Sequence, residues 1–441
     1  GYGGYTMRYD FIPCAYANDE AGNDSWENAT PMEAGTTTEA RLGYDYNSST
    51  DVADWFKMDV PEEGAINLTI CSEKTLTIGL AEIKTLKSDG TGVSSRTSKW
   101  LDNPGDTLTF VLNNCAAGSY YLYMPHRGGY GGYTVKYDFT PCAYANDVAG
   151  NDSWDNATHL ENGTTMQARL GYDYNSSMDN KDWYEFTLEA DGSATFTIQS
   201  EKTLTLGSAE IHALKADGTG TMRRTSKWLD YPDSALVFKA DNLAAGNYYL
   251  YMPQRGGYGG YSVKSNFTKN PYFREKRTNT NFASRIELEQ GQSVYGTLGY
   301  EYNSGAQTEA WFDLGLMHGT QIDVNVEVEH SHSLSIGVAT LYIYKGDKED
   351  GSPILQSVKS TRLERSSGTI SYLDKNTEDS HYIFYLPRYN GYGGYKVTFE
   401  GPEEEGVIDL ATNVKVMTGG RNTVRKGVAC ENPITITNIP N

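Results

Sequence analysis

Acidic and amide side chains recur in this 441-residue chain at spacings that suit a metal ion. Hard cations such as Ca²⁺ take several oxygen ligands, which carboxylate and amide side chains supply. One group combines an Asp- and Asn-rich loop with an Asp-Val-Ala-Asp turn: Asp19, Asn23, Asp24, Asp51 and Asp54. The second group repeats the first 128 residues later: Asp147, Asn151, Asp152, Asp179 and Asp182. The pattern predicts a calcium ion at each group; alternatively, these side chains bond to the backbone of their own turns.

A third copy of the same region has lost the acidic side chains. Thr280, Gln307 and Ala310 stand at the positions of Asp24, Asp51 and Asp54. Because the replacements carry no charge, we predict no ion in this copy.

Two tryptophans are candidates for ligand binding. Trp100 and Trp228 each precede a leucine at a position that is apolar in all copies, so the leucine should face the core and the tryptophan the solvent. An exposed tryptophan beside charged residues suits stacking on a sugar ring or anchoring a protein partner. The alternative is that a neighbouring loop covers each ring. Arg362 occupies this position in the third copy, which confines the predicted site to two copies.

The cysteines suggest an oxidising compartment. Cys71 and Cys115 are both replaced in the second copy, by Gln199 and Leu243. Their joint loss predicts a disulfide between them and an extracellular location. Two separately buried thiols are the alternative.

These residues lie in three tandem repeats. The stretch GYGGY begins at Gly1, Gly129, Gly257 and Gly391, and short alternating segments separated by Gly and Asp-Gly turns fill the intervals. The predicted fold is all-β, with three tandem jelly-roll-like β-sandwich domains. The predicted boundaries are a closing strand at 1–13, repeats at 14–140, 141–268 and 269–400, and an acidic linker with the start of another β-domain at 401–441.

The order of motifs within a repeat resembles the bacterial pre-peptidase C-terminal domain. The matching pieces are 23–30, 51–56, 118–122 and 129–133 and their second copies. The resemblance implies a non-catalytic β-sandwich of a secreted bacterial protein. Collagen-binding members of that family hold calcium with an acidic entry segment and an Asp-x-x-Asp turn, although Ala21 stands where a Glu is expected. The segment after Gly406 is faintly similar to a Bacteroidota C-terminal sorting domain.

Composition and the lack of catalytic motifs limit the function further. The net charge of −20 disfavours nucleic acid and anionic membranes as partners. No stretch is apolar enough to insert into a membrane. No His-Glu-x-x-His or Gly-x-Ser-x-Gly motif is present, so no enzymatic activity is predicted.

Together these features predict a non-catalytic, calcium-stabilised array for binding or adhesion, secreted or on the cell surface. Its expected ligand is a glycan or an extracellular protein. One alternative is a structural stalk whose repeats self-associate through edge strands; another is the accessory region of a secreted protease. Residues 1–11 are predicted to pair with a sheet edge of this chain or of another copy.

Overall fold

The computed structural model describes residues 2–17, 22–46, 49–145, 150–174, 177–229, 235–273, 279–303, 305–364, 367–400, 415–416 and 425–426. Asp19 and Asp147 lie outside the described residues, as does most of 401–441. Strands dominate, and the described helices are the single 3₁₀ turns Trp26–Asn28, Trp154–Asn156 and Phe282–Ser284. This confirms the all-β prediction. The chain divides into one unit at Gly1–Asn270 with Tyr300–Ala306, and a second at Pro271–Gly299 with Gln307–Asn441.

The first repeat supplies twelve strands, of which ten form two facing sheets. In chain order they are β1 (Thr30–Met32), β2 (Thr37–Leu42), β3 (Asp45–Tyr46), β4 (Ser49–Thr50), β5 (Ala53–Val60), β6 (Gly64–Ser72), β7 (Leu76–Ile78), β8 (Leu80–Leu86), β9 (Val93–Trp100), β10 (Thr107–Cys115), β11 (Gly118–Gly129) and β12 (Gly131–Pro141). One sheet has the order β1-β5-β11-β8-β9, with β7 beside β11, and the other contains β10-β6-β12-β2.

The second repeat builds the same two sheets. Its strands are β13 (Thr158–His159), β14 (Thr165–Leu170), β15 (Asp173–Tyr174), β16 (Ser177–Met178), β17 (Lys181–Leu188), β18 (Gly192–Ser200), β19 (Leu204–Leu206), β20 (Ser208–Leu214), β21 (Thr221–Trp228), β22 (Leu236–Leu243), β23 (Gly246–Gly257) and β24 (Gly259–Lys269). The sheets are β13-β17-β23-β20-β21, with β19 beside β23, and β14-β24-β18-β22.

The third repeat begins after the 3₁₀ turn at Phe282. Its strands are β25 (Ile286–Glu287), β26 (Ser293–Leu298), β27 (Glu301–Tyr302), β28 (Gly305–Ala306), β29 (Glu309–Met317), β30 (Gln321–Val328), β31 (Ser335–Asp347), β32 (Pro353–Glu364), β33 (Gly368–Leu373), β34 (Ser380–Asn390) and β35 (Gly393–Glu400). They form the sheets β25-β29-β34-β31-β32 and β26-β35-β30-β33. Two further short strands, β36 (Lys415–Val416) and β37 (Arg425–Lys426), pair with each other.

Each repeat has its own hydrophobic core because alternate residues of its strands point between the two sheets. In β6, Ile66, Leu68 and Ile70 have no exposed surface, whereas the residues between them do. Tyrosine supplies much of the bulk, and Tyr120, Tyr248 and Tyr382 are fully buried at matching positions. The high tyrosine content is therefore partly a property of the cores.

The predicted disulfide between Cys71 and Cys115 is wrong. Both cysteines are free thiols. In the pairing of β6 with β10, Cys71 lies opposite Thr107, and Cys115 lies opposite Gly64, at the other end of β6. At about 3.3 Å per residue the two are roughly 20 Å apart along the sheet. A disulfide requires Cα atoms within about 7 Å. The structure shows two separate thiols, of which Cys115 is buried and Cys71 is half-buried.

The N-terminal segment does not form the sheet contact predicted within this chain. Residues 2–14 adopt no strand, and Tyr2, Tyr5, Tyr9, Phe11 and Ile12 are all at least 70% exposed. The GYGGY copies at Gly129, Gly257 and Gly391 instead open onto β12, β24 and β35, which each close a sandwich. Pairing with another copy stays a prediction.

Candidate functional site

The first candidate site is an exposed indole held by an arginine. Trp100 ends β9, an edge strand, and is 58% exposed. Leu101, the next residue, is buried in the core, as the alternation predicts. The guanidinium of Arg127, from the end of β11, lies 5.2 Å from the centre of the Trp100 ring and donates a hydrogen bond to Asp102. The cation–π contact fixes the indole at the surface.

The second repeat has the same arrangement. Trp228 at the end of β21 is 64% exposed, and Leu229 after it is buried. The guanidinium of Arg255 lies 5.7 Å from the centre of the Trp228 ring. We call each such contact a ring–guanidinium pair.

The third repeat retains this pair with the two partners exchanged. Arg362 on β32 stands at the tryptophan position, and Tyr389 on β34 stands at the position of Arg127 and Arg255. The Arg362 guanidinium lies 5.2 Å from the centre of the Tyr389 ring, which is 66% exposed. Sequence comparison at the tryptophan position alone missed this third pair. The sequence did contain a signal for it, because Tyr389 replaces the arginine that stands two residues before GYGGY in the other repeats.

The second candidate site is a buried acidic and amide cluster at the entry to each of the first two sandwiches. The backbone N–H of Trp55 donates to the carbonyl of Asn23 at 2.8 Å, which joins the entry loop to β5. Asn23 is 4% exposed and Asp54 is fully buried, while Asp51 is half-buried. The structure thus brings together Asn23 and the Asp-Val-Ala-Asp turn.

The equivalent cluster in the second repeat is built in the same way. Trp183 N–H donates to the carbonyl of Asn151 at 2.8 Å, and both Asn151 and Asp182 are buried. The hydroxyl of Tyr261 donates to the Asp182 carboxylate and lies 2.7 Å from the hydroxyl of Tyr184. Burial, together with the Asp182 charge, holds the pKa of Tyr261 far above its ordinary value. Tyr261 therefore stays a proton donor to the carboxylate.

In the third repeat the cluster is neutral. Gln307, at the position of Asp51, donates to the Asn279 side-chain oxygen at 3.4 Å and to the Glu309 carbonyl at 3.0 Å. Ala310, at the position of Asp54, is fully buried. Burial raises the pKa of Tyr395 to about 12. The Gln307–Asn279 contact shows that these two positions of a repeat lie side by side.

The other predicted ligands that the structure describes are not fully buried in the clusters. Asp24 and Asp152 are exposed, and Asp179 is half-buried. Within the described ranges, no three His, Cys, Asp or Glu side chains gather closely enough to hold a metal ion. Two carboxylates and one amide in each of the first two repeats are thus a partial ligand set.

The same amide atom is buried without a hydrogen-bond partner among the described residues in all three clusters: the side-chain Nδ2 of Asn23, Asn151 and Asn279. Such atoms are uncommon in folded proteins. Because Asn279 shares this property, the amide does not distinguish the third repeat from the other two. The carboxylates do.

Comparisons with known proteins give the chain no family. No protein-family model and no curated sequence matches it. A putative secreted protein from Parabacteroides distasonis aligns at 10% identity and a TM-score of 0.25, over 59% of this chain and 95% of that one. The tandem CBM22 domains of Paenibacillus barcinonensis Xyn10C align at 10% identity and a TM-score of 0.19, over 60% of this chain and 100% of theirs. The triple jelly roll protein of an archaeal virus turret aligns at 10% identity and a TM-score of 0.15, over 90% of this chain and 98% of that one.

These scores are too low to bear on what the chain binds. The likeness to pre-peptidase C-terminal domains stays a prediction from the order of motifs. Among the helices of the described residues, none has the length and apolar character needed to cross a membrane.

Proposed function

We propose that this protein is a non-catalytic extracellular array that binds glycans through its ring–guanidinium pairs. The observation that supports the proposal is the recurrence of an exposed aromatic ring beside an arginine in all three sandwiches, including the one in which the two residues are exchanged. Because the third sandwich keeps the contact although the arginine and the aromatic residue have changed places, the contact itself is favoured as the functional feature.

The chemistry suits a sugar. The exposed ring offers an apolar surface to the C–H face of a pyranose, and the guanidinium offers several N–H donors to its oxygens. Since Arg127 holds the Trp100 ring before any ligand arrives, less conformational entropy is lost on binding. A protein partner would use the same exposed rings as anchors. A structural stalk is the alternative in which the pairs only stabilise the surface.

Replacing both tryptophans tests this proposal. Trp100→Ala with Trp228→Ala should weaken binding to immobilised polysaccharides or a glycan array at least about tenfold, because a stacked aromatic contributes on the order of 1–3 kcal/mol. Further replacement of Tyr389 by Ala should remove the remaining binding. The variant Val111→Ala is the matched control, since Val111 is 57% exposed but belongs to no ring–guanidinium pair. Unchanged binding by the double variant would exclude the tryptophans as ligand contacts and favour the stalk.

We also propose that calcium stabilises the first two repeats at the clusters described above. The ligands would be Asn23, Asp51 and Asp54, with Asp19 and Asp24 from the entry loop, and Asn151, Asp179 and Asp182 with Asp147 and Asp152. Placing a carboxylate such as Asp54 in a site without exposure is costly, and a divalent cation offsets that cost. The third repeat, where Gln307 and Ala310 remove the charge, needs no ion.

Calcium should raise the melting temperature of the first two sandwiches relative to a chelator. A ligand at about one hundred times its Kd stabilises by about 2.7 kcal/mol, which corresponds to a shift of several degrees in a domain of this size. The combined variant Asp54→Asn and Asp182→Asn should lose the shift, whereas Gln307→Ala in the third repeat should keep it. Identical melting of the unmodified protein in calcium and in chelator would contradict the calcium proposal.

A further inference from the structure

A short hairpin of the second repeat is docked on the first sandwich. β15 of the hairpin β15–β16 extends the sheet of β10 in parallel, with Asp173 beside Cys115. The Asp173 carbonyl accepts hydrogen bonds from Ala116 N–H at 3.1 Å and from Arg96 at 2.6 Å. The Tyr174 ring packs against the core of the first sandwich and meets the Tyr120 ring edge to face at 5.5 Å.

A glycine makes room for that ring. A Cβ atom at Gly118 would lie 2.5 Å from the Tyr174 ring, so only glycine fits there. Arg96 reaches the hairpin because it is the extra residue of a β-bulge between β8 and β9, which redirects its side chain. We call Gly118, Tyr120 and Arg96 the socket of the first sandwich.

The second sandwich holds the hairpin β27–β28 in an equivalent socket. Glu301 lies beside Leu243 in the sheet, and its carbonyl accepts from Ala244 N–H and from the Tyr248 hydroxyl, each at 3.1 Å. The Tyr302 ring meets the Tyr248 ring at 5.3 Å.

The remaining members of this second socket also match. A Cβ at Gly246 would lie 2.7 Å from the Tyr302 ring. Arg224 is again the bulge residue, and it pairs with the Glu301 carboxylate. Two sockets therefore use the same three residue types on the same kind of hairpin.

The third sandwich lacks two of the three socket residues. Its bulge residue is Val358, which packs against the core, and Ser380 stands at the glycine position. Without the arginine donors and with a side chain in the ring's place, this sandwich cannot receive such a hairpin in the same way.

The hairpin of the first repeat, in contrast, has no socket among the described residues. Among the described strands, β3 and β4 pair only with each other, and Asp45, the counterpart of Asp173, is exposed. Its sequence, Gly-Tyr-Asp-Tyr-Asn-Ser at 43–48, matches that of the docked hairpin at 171–176. We propose that the β3–β4 hairpin is a docking surface for a further β-sandwich that carries the Gly–Tyr–bulge Arg socket.

In this assignment each docking contact joins a hairpin of one sandwich to a socket of another, so the two ends of the array differ. A second copy of the unmodified chain is a poor partner, because both of its sockets hold its own hairpins and its third sandwich has none. The partner is instead a sandwich of the first or second type with an open socket. The inference is independent of the glycan and calcium proposals, since it uses none of their residues.

The test empties a socket in the full chain. Asp173→Ser with Tyr174→Ser removes the carboxylate that pairs with Arg96 at 3.4 Å and the ring that fills the socket, while the backbone carbonyl of residue 173 stays. The weakened hairpin should leave its socket, so each molecule then carries one free hairpin and one open socket. Sedimentation velocity should show a monomer for the unmodified chain and a concentration-dependent rise of at least about twofold in average mass for the variant, at roughly 100 μM. A cooperative melt confirms that the variant is folded.

Two additions to that variant separate docking from adhesion by exposed apolar surface. Asp45→Ser with Tyr46→Ser removes from the free hairpin the side chains that match Asp173 and Tyr174, and Gly118→Ser closes the socket as in the third sandwich. Either addition should restore the monomer. Association that survives either addition, or a folded variant that stays monomeric, would overturn the proposal. Glu301→Ser with Tyr302→Ser repeats the experiment at the second socket. Loss of folding in both variants would also overturn it, since a hairpin needed for folding is not an exchangeable docking group.

Discussion

Gly257→Ala should destabilise the second sandwich by more than about 3 kcal/mol, which is above the usual range for a single substitution. Gly257 has a φ of +75°, a conformation that side chains disfavour. A Cβ atom there would lie 1.9 Å from the Thr203 carbonyl oxygen, so the β19–β23 pairing has to open to admit it. Gly129 and Gly391 are in the same position, since a Cβ atom there would lie 1.9 Å from the Thr75 carbonyl oxygen and 2.0 Å from the Ser333 carbonyl oxygen. Denaturant unfolding monitored by tyrosine and tryptophan fluorescence measures the effect.

The neighbouring glycine supplies a matched control. A Cβ at Gly256 meets nothing within 4 Å, so Gly256→Ala should leave stability unchanged within about 0.5 kcal/mol. If Gly256→Ala and Gly257→Ala lowered stability equally, the loss would reflect alanine anywhere at this end of β23, and the close approach of Gly257 to Thr203 would not be its cause.

Arg169→Met should cost about 2–3 kcal/mol, because it removes a buried guanidinium whose hydrogen bonds reach charged groups, although the glutamates can still contact water. The Arg169 side chain is only 5% exposed and bonds Glu62 at 2.9 Å and Glu63 at 3.0 Å. Its Nε also donates to the Tyr144 carbonyl at 2.6 Å. These contacts join the loop after β5 to the chain that enters the second repeat, so the variant leaves several groups without their donor. Denaturant unfolding should show a lower midpoint.

Arg41 is the matched control for this second prediction. It occupies the same position in the first repeat and donates to the Tyr16 carbonyl, but it is only half-buried and no ion pair to it is found among the described residues. Arg41→Met should therefore cost about 1 kcal/mol, the value of one neutral hydrogen bond. Equal losses for the two variants would show that the glutamates contribute nothing at Arg169.

Local sequence pattern determined the strands and their faces. The alternation of apolar residues placed Ile66 and Leu68 in the core, and it placed Leu101 inside and Trp100 outside. This succeeds because side-chain direction along a strand depends only on residue parity. The repeat spacing likewise showed that Asn23 and Asp54 have counterparts in Asn151 and Asp182, which the structure builds alike.

Tertiary structure decided which distant residues meet. Joint loss of Cys71 and Cys115 in the second repeat suggested a bond, yet strand register separates them along β6. Arg362 suggested that the third repeat lacks the aromatic site predicted for the other two, yet β34 brings the Tyr389 ring beside it. Substitution at one position does not reveal a compensating change on another strand.

The GYDYNS segment shows the same division. The predicted repeat boundaries place Tyr174 and Tyr302 within their own repeats. The structure packs each ring on the preceding sandwich, where a glycine and a bulge arginine receive it. A socket of this kind depends on the register shift of one strand pair and on a glycine about twenty residues away. The exposure of Trp100 and Trp228 was readable from residue parity, whereas the sockets required strand pairing, because only pairing decides which distant side chains come into contact.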